Sequence, residues 1–271
     1  MPRTPLRGAE ELMGARVFTA LVGTPLALLV GWLGGLPLLV ATGVLVLVAQ
    51  SELVRLLRDF TPHRGTVYAG GLILIASAYF FGERFPGPGF AGVLVVILGA
   101  MVFFYPRFSP QVAAGTMTAV FYPALLLYLF LVRGLPDGWL WLLVLLFGTW
   151  AFDTFGCLVG VRLGRIRITP ELSPKKSLEG LIGGIVATIL IVQAFGYFLL
   201  GGIAYDLLFL GAALALAAQV GDLAASAFKR PAGAKDSGTL LPGHGGVLDR
   251  FDSLILTAPL VYHFVVLFRM S

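Results

Sequence analysis

Long apolar runs, separated by short polar or glycine- and proline-containing breaks, repeat along the whole chain. A helix that crosses the roughly 30 Å hydrocarbon core needs about 20 mostly apolar residues, and about 17 suffice. Nine stretches reach or approach that length: 17–33, 35–51, 66–82, 89–105, 112–132, 138–160, 178–199, 205–227 and 251–268. The pattern predicts an all-α, polytopic integral membrane protein of about nine transmembrane helices. The longest polar interruptions, near 52–65, 162–177 and 228–250, are too short to bury a core, so no soluble domain is expected. Only the turn around Gly34, Gly35 and Pro37 separates the first two runs, and a re-entrant hairpin is an alternative there. The basic residues 1–16 precede a run of full span length with no small-residue cleavage site, which reads as a retained helix.

Charge tests the count independently, because Lys and Arg accumulate in cytoplasmic loops. Arg3, Arg7, Arg16, Arg55, Arg58, Arg64, Arg107, Arg162, Arg165, Arg167, Lys175, Lys176, Lys229, Arg230, Lys235 and Arg250 fall on one side of a nine-span alternation. Only Arg84, Arg133 and Arg269 fall on the other. That asymmetry orients the N-terminus to the cytoplasm and the C-terminus outside, in the cell (inner) membrane. It also accounts for the net charge of +5, which in a soluble protein would invite a nucleic-acid partner; none is expected here. Of the 271 residues, 58% are hydrophobic and 12% charged, about half the charge of a soluble domain. One cysteine, Cys157, and three scattered histidines exclude a disulfide framework and a cysteine-rich metal cage, and argue against redox chemistry.

Residues 1–148 read as an N-terminal membrane scaffold whose acids, Glu52 among them, sit in termini or loops. Residues 149–271 read as a catalytic half with cytoplasmic loops. In this half several carboxylates lie in or at the ends of apolar segments, where an unpaired one costs at least about 2.5 kcal/mol and requires a partner. Asp222 lies near the cytoplasmic end of the eighth run and shares a helix face with Ser226 and Lys229 or Arg230. An internal Asp–Lys pair that neutralises the segment is one reading; a metal ligand is the other. Pro242, Gly243, Gly245 and Gly246 turn the following loop and expose successive N–H groups, a way to build a concavity for anions. Asp249 and Asp252, three residues apart, face one way if the ninth helix starts there. Together with Asp222 they are oxygen ligands suited to Mg²⁺. A helix-capping acid in a glycine turn is the plainer alternative, but it leaves Lys235, His244 and Arg250 without a role.

A second cationic patch, Ser173-Pro174-Lys175-Lys176-Ser177-Leu178-Glu179-Gly180, precedes the seventh run. Ser173 as N-cap with Pro174 at the first helical position predicts a helix start. Lysines in a first turn oppose the helix dipole, which points to a bound anion; membrane anchoring is the alternative. Ser173 and Lys176 also match the S-x-x-K pattern of serine acyl-enzymes, without that pattern's companion elements. Gly156, Gly160 and Gly164, and Gly180 with Gly184, are spaced for close helix packing. His263 is expected to hydrogen-bond between helices, Asp153 to support a ligand or pair with a cation, and Arg162, Arg165 and Arg167 to anchor lipid headgroups.

Ser226-Ala-Phe-Lys229-Arg230, then Lys235-Asp236-Ser-Gly238, then Leu241-Pro242-Gly-His244-Gly245-Gly246-Val-Leu-Asp249-Arg250-Phe-Asp252 resembles the signature of phosphatidate cytidylyltransferases, also called CDP-diglyceride synthetases. The 173–180 segment and Gly221-Asp222 are similar to that family too. The resemblance implies transfer of CMP from CTP to phosphatidic acid, giving CDP-diacylglycerol and pyrophosphate, with Mg²⁺ and a second cation such as K⁺. It implies catalytic roles for Asp222, Asp249, Lys235 and Arg250, with Asp222, Asp249 and Asp252 toward the metal. Ser173, Lys175, Lys176, Ser226, Lys229, Arg230, His244, Gly245 and Gly246 would bind CTP, the lipid phosphate or both. The partners expected are CTP, phosphatidic acid, membrane lipids and a second copy of the chain in a homodimer. A CTP-dependent polyprenol or phytol kinase, and an ion-coupled transporter using Asp222 and Asp153, are the alternatives.

Overall fold

The computed structural model describes residues 21–200, 204–238 and 245–270, and for Glu83, Leu199 and Leu200 the backbone alone. The described residues are helical, with short turns between the helices and a single isolated β-bridge, Arg167 with Ser177. In chain order the helices are α1 (Leu21–Leu33), α2 (Gly35–Leu56), α3 (Arg64–Phe81), α4 (Pro86–Phe103), α5 (Pro110–Ala124), α6 (Tyr128–Gly134), α7 (Gly138–Leu163), α8 (Leu178–Leu200), α9 (Tyr205–Lys229) and α10 (Leu248–Phe268). Pro123 withdraws a backbone donor near the end of α5, and the chain tightens to a 3₁₀ turn over Leu125–Leu127 before α6 resumes. The two make one span, Pro110–Gly134, and among the described residues eight helical stretches are long and apolar enough to cross a membrane. With α1, of which 13 residues are described, these match the nine expected runs. This is a multi-pass membrane protein.

The surface agrees with that assignment. Val95, Phe103, Leu190, Phe198 and Phe209 are exposed, an apolar coat suited to lipid and not to water. Inside, Leu53, Leu74, Leu126, Leu145, Leu210 and Leu214 are fully buried. Polar side chains inside the bundle bond across helices: Thr149 Oγ1 donates to Thr257 Oγ1 at 3.2 Å, and Tyr128 Oη lies 3.1 Å from His263 Nε2, the interhelical role expected of that histidine. The ends of the spans meet as alternation requires. At one end Arg133 on α6 donates to the carbonyls of Gly31 and Trp32, and Arg269 after α10 pairs with Asp206 at the start of α9. At the other, the C-terminal end of α2 touches the N-terminal end of α10.

The helices α7 and α8 pack most extensively. A Cβ on Gly180 would lie 2.7 Å from the carbonyl oxygen of Gly156, and one on Gly183 2.6 Å from Val159, so the backbones approach as closely as glycine permits. The helix start before Gly180 differs from expectation. The main chain over 173–177 forms a turn, with Lys176 N donating to Ser173 O, and α8 begins only at Leu178. Ser177 is the cap: its Oγ accepts from Gly180 N at 3.2 Å. The Ser-Pro pair therefore shapes the turn, and Lys175 and Lys176 precede the helix instead of lying in its first turn.

Candidate active site

Three helix ends converge here. Gly221 lies against the backbone of α10; a Cβ there would stand 2.4 Å from the carbonyl oxygen of Asp252. That contact sets Asp222, one residue later, beside Asp252, and the charges of Asp222, Asp252 and Asp153 on α7 all act on one another. Asp153 is tied in by Ser253, whose Oγ donates to Asp153 Oδ1 at 3.3 Å, while Asp252 Oδ1 accepts from Ser253 N. The cations come from neighbouring elements. Lys176, in the turn before α8, pairs with Asp222, and Lys229, at the end of α9, pairs with Asp249 at 2.6 Å. The pair internal to α9, one of the two readings of Asp222, is therefore replaced by two pairs that stitch the turn before α8 to α9, and α9 to α10.

Asp249 occupies the first turn of α10 and is held on every side. Lys229 takes its Oδ1, and its Oδ2 accepts from Ser237 N at 2.6 Å and Gly246 N at 3.0 Å and lies 2.9 Å from Ser237 Oγ. Gly245 has φ of +82°, in the region that favours glycine, and a Cβ on it would sit 2.8 Å from Asp249 Oδ2. The glycine turn does expose N–H groups. Those of Gly246, Val247 and Leu248 are taken by the protein's own carboxylates, the first by Asp249 and the other two by Glu52.

Glu52 corrects the expectation that the acids of residues 1–148 are solvated. The span ends at Leu56, not at 51, so Glu52 lies inside α2, and its exposure is 0%. It accepts from Val247 N (2.9 Å), Leu248 N (2.8 Å) and Ser237 Oγ (2.8 Å). The run of apolar residues continuing past it, Leu53, Val54, Leu56 and Leu57, was the signal that the helix had not ended. Ser237 likewise lies within the quoted signature but was assigned no role from sequence.

The Cytidylyltransferase family model matches residues 14–268, almost the whole chain and all of this site. The chain belongs to the Cytidylyltransferase family. It is therefore an enzyme, a nucleotidyltransferase, and the resemblance carried by residues 226–252 is borne out. Among relatives, the phosphatidate cytidylyltransferase of Staphylococcus aureus (strain COL) is 33% identical over 254 residues, covering 92% of this chain and 97% of that protein. The Staphylococcus epidermidis protein of the same name is also 33% identical, over 255 residues with the same coverage. That of Staphylococcus saprophyticus is 31% identical over 255 residues.

The remaining expected site residues of the enzyme spread around these pairs. Lys175 and Lys235 are exposed on the two loops, Arg250 is exposed at the start of α10, and Ser226 is buried in α9. Arg230 donates through Nε to Leu172 O at 2.9 Å, tying the end of α9 to the turn before α8. Ser173 closes that turn through its backbone. His244 lies outside the described residues. Among the described residues no group of three or more His, Cys, Asp or Glu side chains forms a ready-made metal cage.

Proposed function

We propose that the enzyme transfers CMP from CTP to phosphatidic acid at the cytoplasmic face of the cell (inner) membrane, releasing CDP-diacylglycerol and pyrophosphate. The observation that carries this is the convergence of the Lys176–Asp222 and Lys229–Asp249 pairs at one end of the bundle, on the side where basic residues accumulate. Both substrates are polyanions, and the enzyme presents lysines among carboxylates. A lipid phosphate oxygen, already ionised near neutral pH, attacks the α-phosphorus of CTP; a P–O bond forms and the bond to the β-phosphate oxygen breaks. Such a nucleophile needs no strong general base, so positioning and charge neutralisation carry the rate.

Lys176 and Lys229 neutralise Asp222 and Asp249 and are long enough to turn to a phosphate when one arrives. Lys175, Lys235, Arg230, Arg250 and His244 share the remaining phosphate charge. The donor set fits Mg²⁺, which takes one or two carboxylates and completes its shell with water and substrate oxygens. Asp222 and Asp249 would hold it, with Asp252 in support. Bound there, Mg²⁺ would polarise the α-phosphate and neutralise the leaving pyrophosphate. A second cation such as K⁺, implied by the resemblance to the family, is part of the same proposal. The test is an assay with CTP radiolabelled in the α-phosphate and phosphatidic acid in detergent. Label entering the lipid with release of pyrophosphate is expected; release of CDP, as from a kinase, or neither product, as for a carrier, would overturn the assignment.

A further inference from the structure

Glu52 has no part in the reaction as described, yet its carboxylate is bonded to the active-site loop and the start of α10. Its residue is fully buried, and a buried carboxylate is tolerated only where donors replace water. All three of its donors come from the far end of the sequence, nearly two hundred residues away, and two are backbone N–H groups at the start of α10, where the helix dipole favours an anion. Around it the signature is shaped to fit. A Cβ on Gly238 would lie 2.6 Å from Glu52 Oε1, and the three atoms nearest to it all belong to Glu52, while a Cβ on Gly246 would lie 2.4 Å from Oε2. Two glycines on opposite ends of the loop thus leave room for the same carboxylate. Ser237 Oγ stands between Glu52 Oε2 and Asp249 Oδ2, at 2.8 and 2.9 Å, with one proton to give. Its backbone N–H and that of Gly246 are what hold Asp249 Oδ2.

We infer that Glu52 is a positioning residue for cytidylyl transfer: from a helix of the other half of the chain it clamps 237–238 to 246–248 and so fixes the carboxylate of Asp249. Glu52 itself touches no substrate; it acts through Ser237, Gly246 and the first turn of α10. This rests on the proposed transfer to phosphatidic acid.

The test measures kcat and KM on purified full-length enzyme in detergent, per folded molecule, with wild type alongside. Glu52→Gln keeps the shape but turns an NH₂ toward donors. It is expected to lower kcat roughly 10- to 100-fold, the usual scale for residues that support a metal-site ligand, with the KM for phosphatidic acid unchanged. Asp59→Asn, an exposed acid on the same side of the molecule, serves as control and should leave kcat unchanged. A cycle keeps the inference falsifiable if Glu52→Gln does not fold. Gly238→Ala collides most closely with Glu52, so adding Glu52→Asp, shorter by one methylene, should restore part of the kcat that Gly238→Ala removes. Wild-type kcat for Glu52→Gln, a loss of folded protein with normal kcat in what remains, or strictly additive losses in the cycle would overturn the inference. A wild type that moves no CMP to lipid would instead overturn the proposed function, whatever the variants do.

Discussion

Asp222 and Asp249 are both paired with lysine, but their surroundings separate what their loss would do. The Asp222–Lys176 pair is a quarter or more exposed, and exposed pairs contribute about 0–1 kcal/mol. Asp222→Asn is therefore expected to abolish Mg²⁺-dependent CMP transfer while barely moving the unfolding midpoint in detergent. Asp249 and Lys229 are 9% and 13% exposed, and removing one partner of a nearly buried pair costs about 3–5 kcal/mol. Asp249→Asn should abolish transfer and also lower the midpoint; activity assays and thermal unfolding on both variants check this. Near-normal turnover from either would remove it from the proposed metal site. The two aspartates were legible in the sequence because carboxylates in apolar segments demand partners. Which lysine each would meet was not, because Lys176 reaches Asp222 only through the packing of α8 on α9.

Among the helices, the α7–α8 contact gives a paired prediction from two glycines of similar spacing. At Gly180 an added methyl would press on the Gly156 carbonyl at 2.7 Å, backbone that cannot swing aside, and overpacking of this kind costs about 1–3 kcal/mol. At Gly156 the nearest atom is 3.4 Å from the added Cβ, ordinary contact, and alanine gains up to about 1 kcal/mol of helix propensity. Gly180→Ala should lower the unfolding midpoint and Gly156→Ala should leave it unchanged or raise it. The spans themselves were readable because a bilayer imposes length and apolarity on each. Their ends were harder. Ser173-Pro174 carries a helix-start signal, yet the hydrogen bonds of the 166–178 hairpin, Ile168 N to Lys176 O and Leu178 N to Ile166 O, hold those residues in a turn and pass the cap to Ser177. Glu52 went unread for the complementary reason: polarity was taken to end α2, whereas donors from α10 allow an acid to continue it.

For the molecule as a whole, the basic asymmetry predicts an orientation of the bundle, and labelling tests it. In a Cys157→Ser background, single cysteines replacing Arg84 and Arg107, both exposed, lie on opposite sides of the expected alternation. A membrane-impermeant thiol reagent added to intact cells should label the first and not the second until the membrane is opened; the reverse would invert the topology. The clasp between α2 and α10 also bears on how the enzyme comes into being. Glu52 leaves the ribosome among the earliest spans, but the amides that satisfy it are made with the last. Until synthesis is nearly complete the nascent chain carries a lone carboxylate at the edge of its second span, so insertion of the final helix is also the moment at which the active site becomes able to exist.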